Sequence, residues 1–246
     1  MKSTEFITED KVKAYTAEKL QIDRAVKLLN LHCKESLATI KSPLWRGMRN
    51  HSDAIVMIDP STGERKSANT SNYYTQIMSN SPYMEGWPKR NRSLICSSSI
   101  NGAGGYGNLY ALFPFDGAKI AVCPSWDLWE TRIKVPGTRI SQITEINHFM
   151  QTLGFPTSWE SMVKYSTTET LQRRMQWQNR SVTGEELLQQ ICKALSPAKA
   201  RFKLITIAEF AAKPPRDKEC WTDSPVIAIR QTLYQKFLDA VNKGKQ

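Results

Sequence analysis

The sequence predicts an α+β fold, and three observations carry that prediction. Helix-period segments open the chain, short β-branched and aromatic runs follow them, and after Pro136-Gly137 a block of amphipathic segments intervenes before strand-like pattern returns. Over residues 9–40 apolar side chains recur at Val12, Tyr15, Leu20, Ile22, Ala25, Leu28, Leu29, Leu31 and Leu37 with charges between them, the spacing of one or two amphipathic helices. Pro43 ends that run. Residues 44–48 and 54–58 then read as strands, and Asp59-Pro60-Ser61-Thr62-Gly63-Glu64 as a turn. A short helix is expected over 72–78, and strands over 93–96, 109–113 and 119–122. Helices follow over 140–153, 157–165, 168–178 and 184–195, the last opened by Thr183 with Glu186 three residues on, the spacing of a capping box. Strands over 202–207 and 225–229 and a helix over 231–241 close the chain.

Composition limits the functional classes. With 246 residues, 40% hydrophobic and 23% charged, the chain can bury a full core and reads as an ordinary soluble protein. No apolar run approaches the ~18 residues of a membrane span. The opening MKSTEFITEDKVKAY lacks the apolar centre of a signal peptide, so the expected location is the cytoplasm. Five cysteines without a C-x-x-C pair point to reduced, buried thiols, and three histidines outside any metal-ligand motif give no reason to expect a metal. The net charge of +11 fits either a polyanionic partner or a generally basic solvated surface. Two clusters carry the same pair of readings: Arg173, Arg174 and Arg180 around Trp177, and Lys199, Arg201 and Lys203. Arginines interleaved with an aromatic can bind RNA or DNA, and they can equally form a solvated helix face. The tryptophans at 126, 129, 159, 177 and 221 are expected in the packing.

The stretch LICSSSINGAGGYGNLYALFPF, residues 94–115, contains a literal G-x-G-x-x-G at Gly102, Gly104 and Gly107. A dinucleotide-binding turn of the Rossmann type must open a helix whose N-terminus holds the pyrophosphate. Here an aromatic, strand-like run ending in proline comes after Gly107, so that reading fails and a glycine-rich loop between two strands is expected.

Three features stand in an informative order: Arg46 in Leu44-Trp45-Arg46-Gly47, a strand entering Ser97-Ser98-Ser99, and an acidic pair before a strand, Asp217-Lys218-Glu219. In this the sequence resembles the ADP-ribosyltransferase superfamily of the arginine, Ser-Thr-Ser, Glu-x-Glu type, in particular clostridial-type exoenzymes and the transferases that bacteriophages deploy against their hosts. The first two motifs match over residues 44–122, with Ser98 where threonine is usual. For the third, Glu219 is preferred to Glu130 of Trp126-Asp127-Leu128-Trp129-Glu130, which has Leu128 where a second polar residue belongs. The resemblance implies one domain over 1–246 with an ADP-ribosyltransferase-like split β-sandwich, N-terminal helices and a predominantly helical insertion at 139–214. It implies NAD as substrate and a host protein as acceptor, in the transcription or translation machinery, within the host cytoplasm.

The chemistry assigns each residue a task under that reading. Glu219 stabilises the positive charge that builds on the ribose as nicotinamide leaves. Arg46, followed by Gly47, offers a planar fork to the pyrophosphate. Ser97 orients Glu219, Ser99 supports the site, and Tyr106 stacks on nicotinamide among glycines that let the backbone approach. Asp217 faces the acceptor, and an aspartate there leaves the acceptor's identity open. The competing reading is a basic protein of the same fold that no longer catalyses and binds nucleic acid or a host or virion partner.

Overall fold

The computed structural model describes residues 11–13, 16–38, 42–49, 52–65, 71–177 and 182–243. Tyr15, Ile40, Arg180 and residue 178 of the predicted third helix of the central block lie outside them. The described residues begin with two short strands, β1 (Lys11–Lys13) and β2 (Thr16–Lys19), then helices α1 (Ile22–His32) and α2 (Lys34–Leu37). Strands β3 (Leu44–Met48), β4 (Ile55–Asp59) and β5 (Glu64–Arg65) precede α3 (Tyr73–Asn80). Next come β6 (Leu94–Ser97), a one-turn helix α4 (Ile100–Ala103), β7 (Asn108–Pro114) and β8 (Lys119–Val122). The helical block holds α5 (Ile143–Thr152), α6 (Trp159–Ser166), α7 (Glu169–Trp177), α8 (Gly184–Ala194) and α9 (Pro197–Ala200). Strand β9 (Lys203–Thr206), α10 (Ile207–Ala212), β10 (Glu219–Thr222), β11 (Val226–Arg230) and α11 (Gln231–Lys243) complete the order. No helix among the described residues is long and apolar enough to cross a membrane.

Nine strands form an antiparallel sheet in the order β2-β4-β11-β7-β3-β6-β10-β8-β9, and β1 pairs with β5 apart from it. The ladder is nearly broken at one place. Strands β3 and β6 share a single pair, Trp45 with Ser97, whereas β3 and β7 are paired along their whole length from Leu44–Leu112 to Met48–Asn108. Side-chain alternation explains what this crease does. Leu44, Val56, Leu112 and Ala228 from one side of it and Leu94, Cys96, Ile120 and Cys220 from the other form one buried cluster. Beyond sheet residues and Ala118, only Ile207 and Phe210 of α10 join that cluster, yet its members are almost entirely shielded from solvent. The two leaves of the sheet therefore cover each other.

Each outer face has its own helices. Ala111, Phe113, Ile227 and Ile229 meet Ala25 and Leu29 of α1 and Phe237 and Val241 of α11. Ala121 and Trp221 on the other leaf meet the helical block. Thr183 and Glu186 do form a reciprocal cap at the start of α8, with Thr183 N–H 2.8 Å from the Glu186 carboxylate and Glu186 N–H 3.2 Å from the Thr183 hydroxyl.

Several expectations need correction. The helical start does not extend over 9–40, because residues 16–19 pair with β4 and Ile22 is the first helical residue; a waiting strand edge overrides the helical spacing. The strand expected over 202–207 is present as β9, which extends the sheet beside β8. Trp126 is 54% exposed and is not part of the packing. All five cysteines are free and buried, and burial pushes the Cys33 and Cys96 thiols up to about 12.

Trp221 couples the second leaf to the helical block: it is fully buried, packs edge-on against Phe202 at 5.5 Å and donates its indole N–H to the Pro88 carbonyl at 3.0 Å. Trp221→Ala is expected to lower the unfolding free energy by about 3–5 kcal/mol in urea titrations, and Trp221→Phe by clearly less.

Candidate functional site

At the crease, the strands carrying Arg46, Ser97 and Glu219 lie side by side. Ser97 is paired across the ladder with Trp45 on β3 and with Glu219 on β10. Glu219 is thus the first residue of its own strand, a correction to its expected place before the strand at 225–229. Residues 219–222 escape a period-2 reading because Cys220 and Trp221 are both apolar, one facing the inter-leaf core and the other the helical block.

The backbone of the serine motif is tied to the same strand. Ser98 N–H donates to the Lys218 carbonyl at 2.9 Å, and Lys218 N–H returns to the Ser98 hydroxyl at 2.8 Å. Ser97 Oγ accepts from Ser99 N–H at 3.1 Å, and Ser99 Oγ accepts from Gly102 N–H at 3.3 Å, capping α4. The expected plain loop between strands therefore contains a short helix, although a strand does begin directly after Gly107, as expected.

Close approach explains the glycines. A side chain on Gly47 would place its Cβ 2.5 Å from the Ala103 carbonyl and 2.6 Å from the Tyr106 Cβ. The glycine-rich segment is consequently seated directly on the strand residue that follows Arg46. Gly107 has φ +114°, and a Cβ there would stand 2.7 Å from the Arg49 backbone, so both conformation and space require glycine.

Arg46 is half-buried and donates to the Ile95 carbonyl, while Arg49 reaches the Gly105 carbonyl at 3.5 Å. Tyr106 lies half-buried between charges of both signs. Burial pushes its phenol up to about 12, Asp127 and Glu219 add to that rise, and Arg46 and Arg49 oppose it. The phenol is neutral across the physiological range.

Glu219 is buried and both of its oxygens are engaged. Oε1 accepts from Arg90 Nη2 at 2.6 Å and Oε2 from Leu128 N–H at 3.0 Å. These two groups, and not the Ser97 hydroxyl, orient the carboxylate, which corrects the task expected of Ser97. The Arg90 guanidinium lies 5.1 Å from the Trp221 ring centroid and 5.9 Å from that of Tyr74. Burial is the largest influence and works against its charge, but the Glu219 carboxylate, Tyr74 and Cys123 together raise the pKa of Arg90.

Sequence reasoning missed Arg90 and Asp127. Nothing in the local sequence marks Arg90. Asp127 does carry a faint signal, since it caps the 3-10 turn Leu128–Glu130 by accepting from Trp129 N–H at 2.8 Å. Burial, and then Glu219, push its carboxyl up to about 6 against the opposing pull of Trp129 N–H and Arg90. By contrast, Asp217 is exposed on a left-handed turn with φ +48°, and Glu130 is exposed in the 3-10 turn, off the sheet. Among the described residues, no group of three His, Cys, Asp or Glu is placed to hold a metal ion.

No known protein family, no curated protein and no solved structure matches this chain.

Arg46 and Arg49 thus lie near the glycine-rich segment, and Glu219 and Asp127 are neighbouring carboxylates of which Glu219 is paired with Arg90. Asp127 has a folded-state pKa above its ordinary value of 3.8, so its charge costs stability above about pH 6, and that cost vanishes as pH falls to about 4. Asp127→Asn keeps a cap acceptor and is expected to raise the unfolding free energy at pH 7.5 by about 1–3 kcal/mol, with no difference from the parent at pH 4, by denaturant titration at both pH values.

Proposed function

We propose that the protein is a transferase that cleaves the nicotinamide–ribose bond of NAD and passes ADP-ribose to an acceptor. The observation that carries this reading is the adjacency of β3, β6 and β10, which brings Arg46, Ser97 and Glu219 together from positions far apart in the chain. The fold it implies, an ADP-ribosyltransferase-like split β-sandwich, is supported by two leaves that face each other across a crease. Arg46, with Gly47 beneath the loop, suits the pyrophosphate, and a neutral Tyr106 suits the nicotinamide face. Glu219 suits the developing oxocarbenium charge, and a carboxylate oxygen holding one hydrogen bond retains a lone pair for a ribose hydroxyl. Within this class, the protein is a mono-ADP-ribosyltransferase acting on a host protein, in the manner of a bacteriophage takeover factor, with the +11 charge favouring docking to nucleic-acid-rich machinery.

A second reading, a non-catalytic binding protein of this fold, draws on the closed state of Glu219 and on the same charge. It predicts salt-dependent binding to RNA or DNA without NAD turnover. Of the two basic clusters, Lys199, Arg201 and Lys203 are exposed, while Arg173 is occupied by Glu169 at 2.6 Å.

Nicotinamide release from NAD, followed by chromatography, separates the two. Glu219→Gln is expected to lower the rate by at least ~10²-fold, and Arg46→Gln to raise KM about tenfold or more with a smaller change in kcat. Full activity in Glu219→Gln, or no release by the parent protein, would overturn the transferase reading.

A further inference from the structure

Resting on the transferase reading, we infer that the carboxylate which takes the proton from the acceptor is Asp127, on the segment after β8, and not Asp217 two residues before Glu219.

The backbone supplies the first argument. The segment following β8 is wrapped around Glu219 by three hydrogen bonds: Cys123 N–H to the Glu219 carbonyl at 2.9 Å, Glu219 N–H to the Ser125 carbonyl at 3.3 Å, and Leu128 N–H to Glu219 Oε2 at 3.0 Å. Asp127 is the residue immediately before the one that bonds the carboxylate. Its own side chain is fixed by Trp129 N–H, so it is held on both sides with little freedom to leave the site.

Surroundings supply the second. Asp127 is partly buried, and the charged or titratable groups that act on it come from several elements: Glu219 on β10, Arg90 from the turn before β6, and Glu130 from its own turn. The Tyr106 phenol of the glycine-rich segment senses Asp127 more strongly than any other charged group. A carboxyl that titrates near neutrality is suited to accept a proton during turnover. Asp217 is exposed, and the strand clamp at Ser98–Lys218 fixes the backbone beside it without enclosing its side chain. Trp126, the residue before Asp127, is exposed.

The step balances with water as acceptor. The C1′–N bond of the nicotinamide riboside breaks, and its electron pair leaves with neutral nicotinamide. A water oxygen bonds to C1′ and its proton passes to the Asp127 carboxylate and then to solvent.

The test compares the parent, Asp127→Asn and Asp217→Asn by initial rates of nicotinamide release across pH 5–8, with thermal melting to show that each is folded. Asp127→Asn is expected to reduce kcat about 100-fold with KM within a few-fold, and to lose the acid limb that the parent shows near pH 6. Asp217→Asn is expected to affect kcat at least tenfold less. If Asp217→Asn is the more damaging change, or if Asp127→Asn keeps both its kcat and its acid limb, the assignment of Asp127 falls while the transferase reading stands. Absence of release by the folded parent protein overturns the transferase reading and this assignment with it.

Discussion

The contact on which the site depends is the buried pair of Arg90 and Glu219. Removing two charges from water costs several kcal/mol per ion, and only close geometry with further hydrogen bonds recovers it. Here the nitrogen–oxygen distance is 2.6 Å, the second carboxylate oxygen takes the Leu128 N–H, and Trp221 and Tyr74 lie beside the guanidinium. Three segments must meet to achieve this: the turn before β6, the first residue of β10 and the turn after β8. A well-packed apolar pair of similar volume would serve stability at least as well. The pair is thus weak evidence for stability, and under the proposed transferase reading it serves to fix and orient the carboxylate.

The crease explains why the carboxylate stands where other polar groups can join it. Along a continuous ladder the side chains of neighbouring strands stand side by side on the same face. Where β3 and β6 share only the Trp45–Ser97 pair, the leaves part and groups from both converge. Arg46 comes from one leaf, and Ser97 and Glu219 from the other. The glycine-rich segment then closes over β3, an approach that a side chain at Gly47 or Gly107 would block.

Much of this was legible in the sequence, for reasons that differ by element. Strand β8 and helix α8 are strongly patterned and fall where the periodicity puts them. Arg46 and Ser97 were legible because each sits on or at the end of a strand that the pattern reveals. Strand β2 was not, because its conformation comes from pairing with β4, which no local pattern records. Strand β10 was hidden by being buried on both faces. Arg90 was the least legible: its role exists only through a partner 129 residues away, and an arginine in Lys89-Arg90-Asn91-Arg92 looks like any surface cation. Asp127 stood only inside the competing motif around Glu130, because its place in the site comes from Leu128 meeting a carboxylate 91 residues further on.

The charges around Tyr106 show how the site can orient a ligand whose own charge is uneven. Burial, then Asp127 and Glu219, raise its phenol pKa, while Arg46 and Arg49 pull it down, so Tyr106 stands among charges of both signs. A dinucleotide carrying an anionic pyrophosphate and a cationic nicotinamide ring has the complementary polarity. Its pyrophosphate would be drawn toward the arginines, and its ring toward the carboxylates across a neutral aromatic face. Reversing it would set phosphate against carboxylate in a partly desolvated site, where like charges repel more strongly than in water. The overall charge of +11 would act earlier, at longer range, on the approach of a partner. Under the proposed transferase reading, cleavage would build positive charge on the ribose, which Glu219 would stabilise.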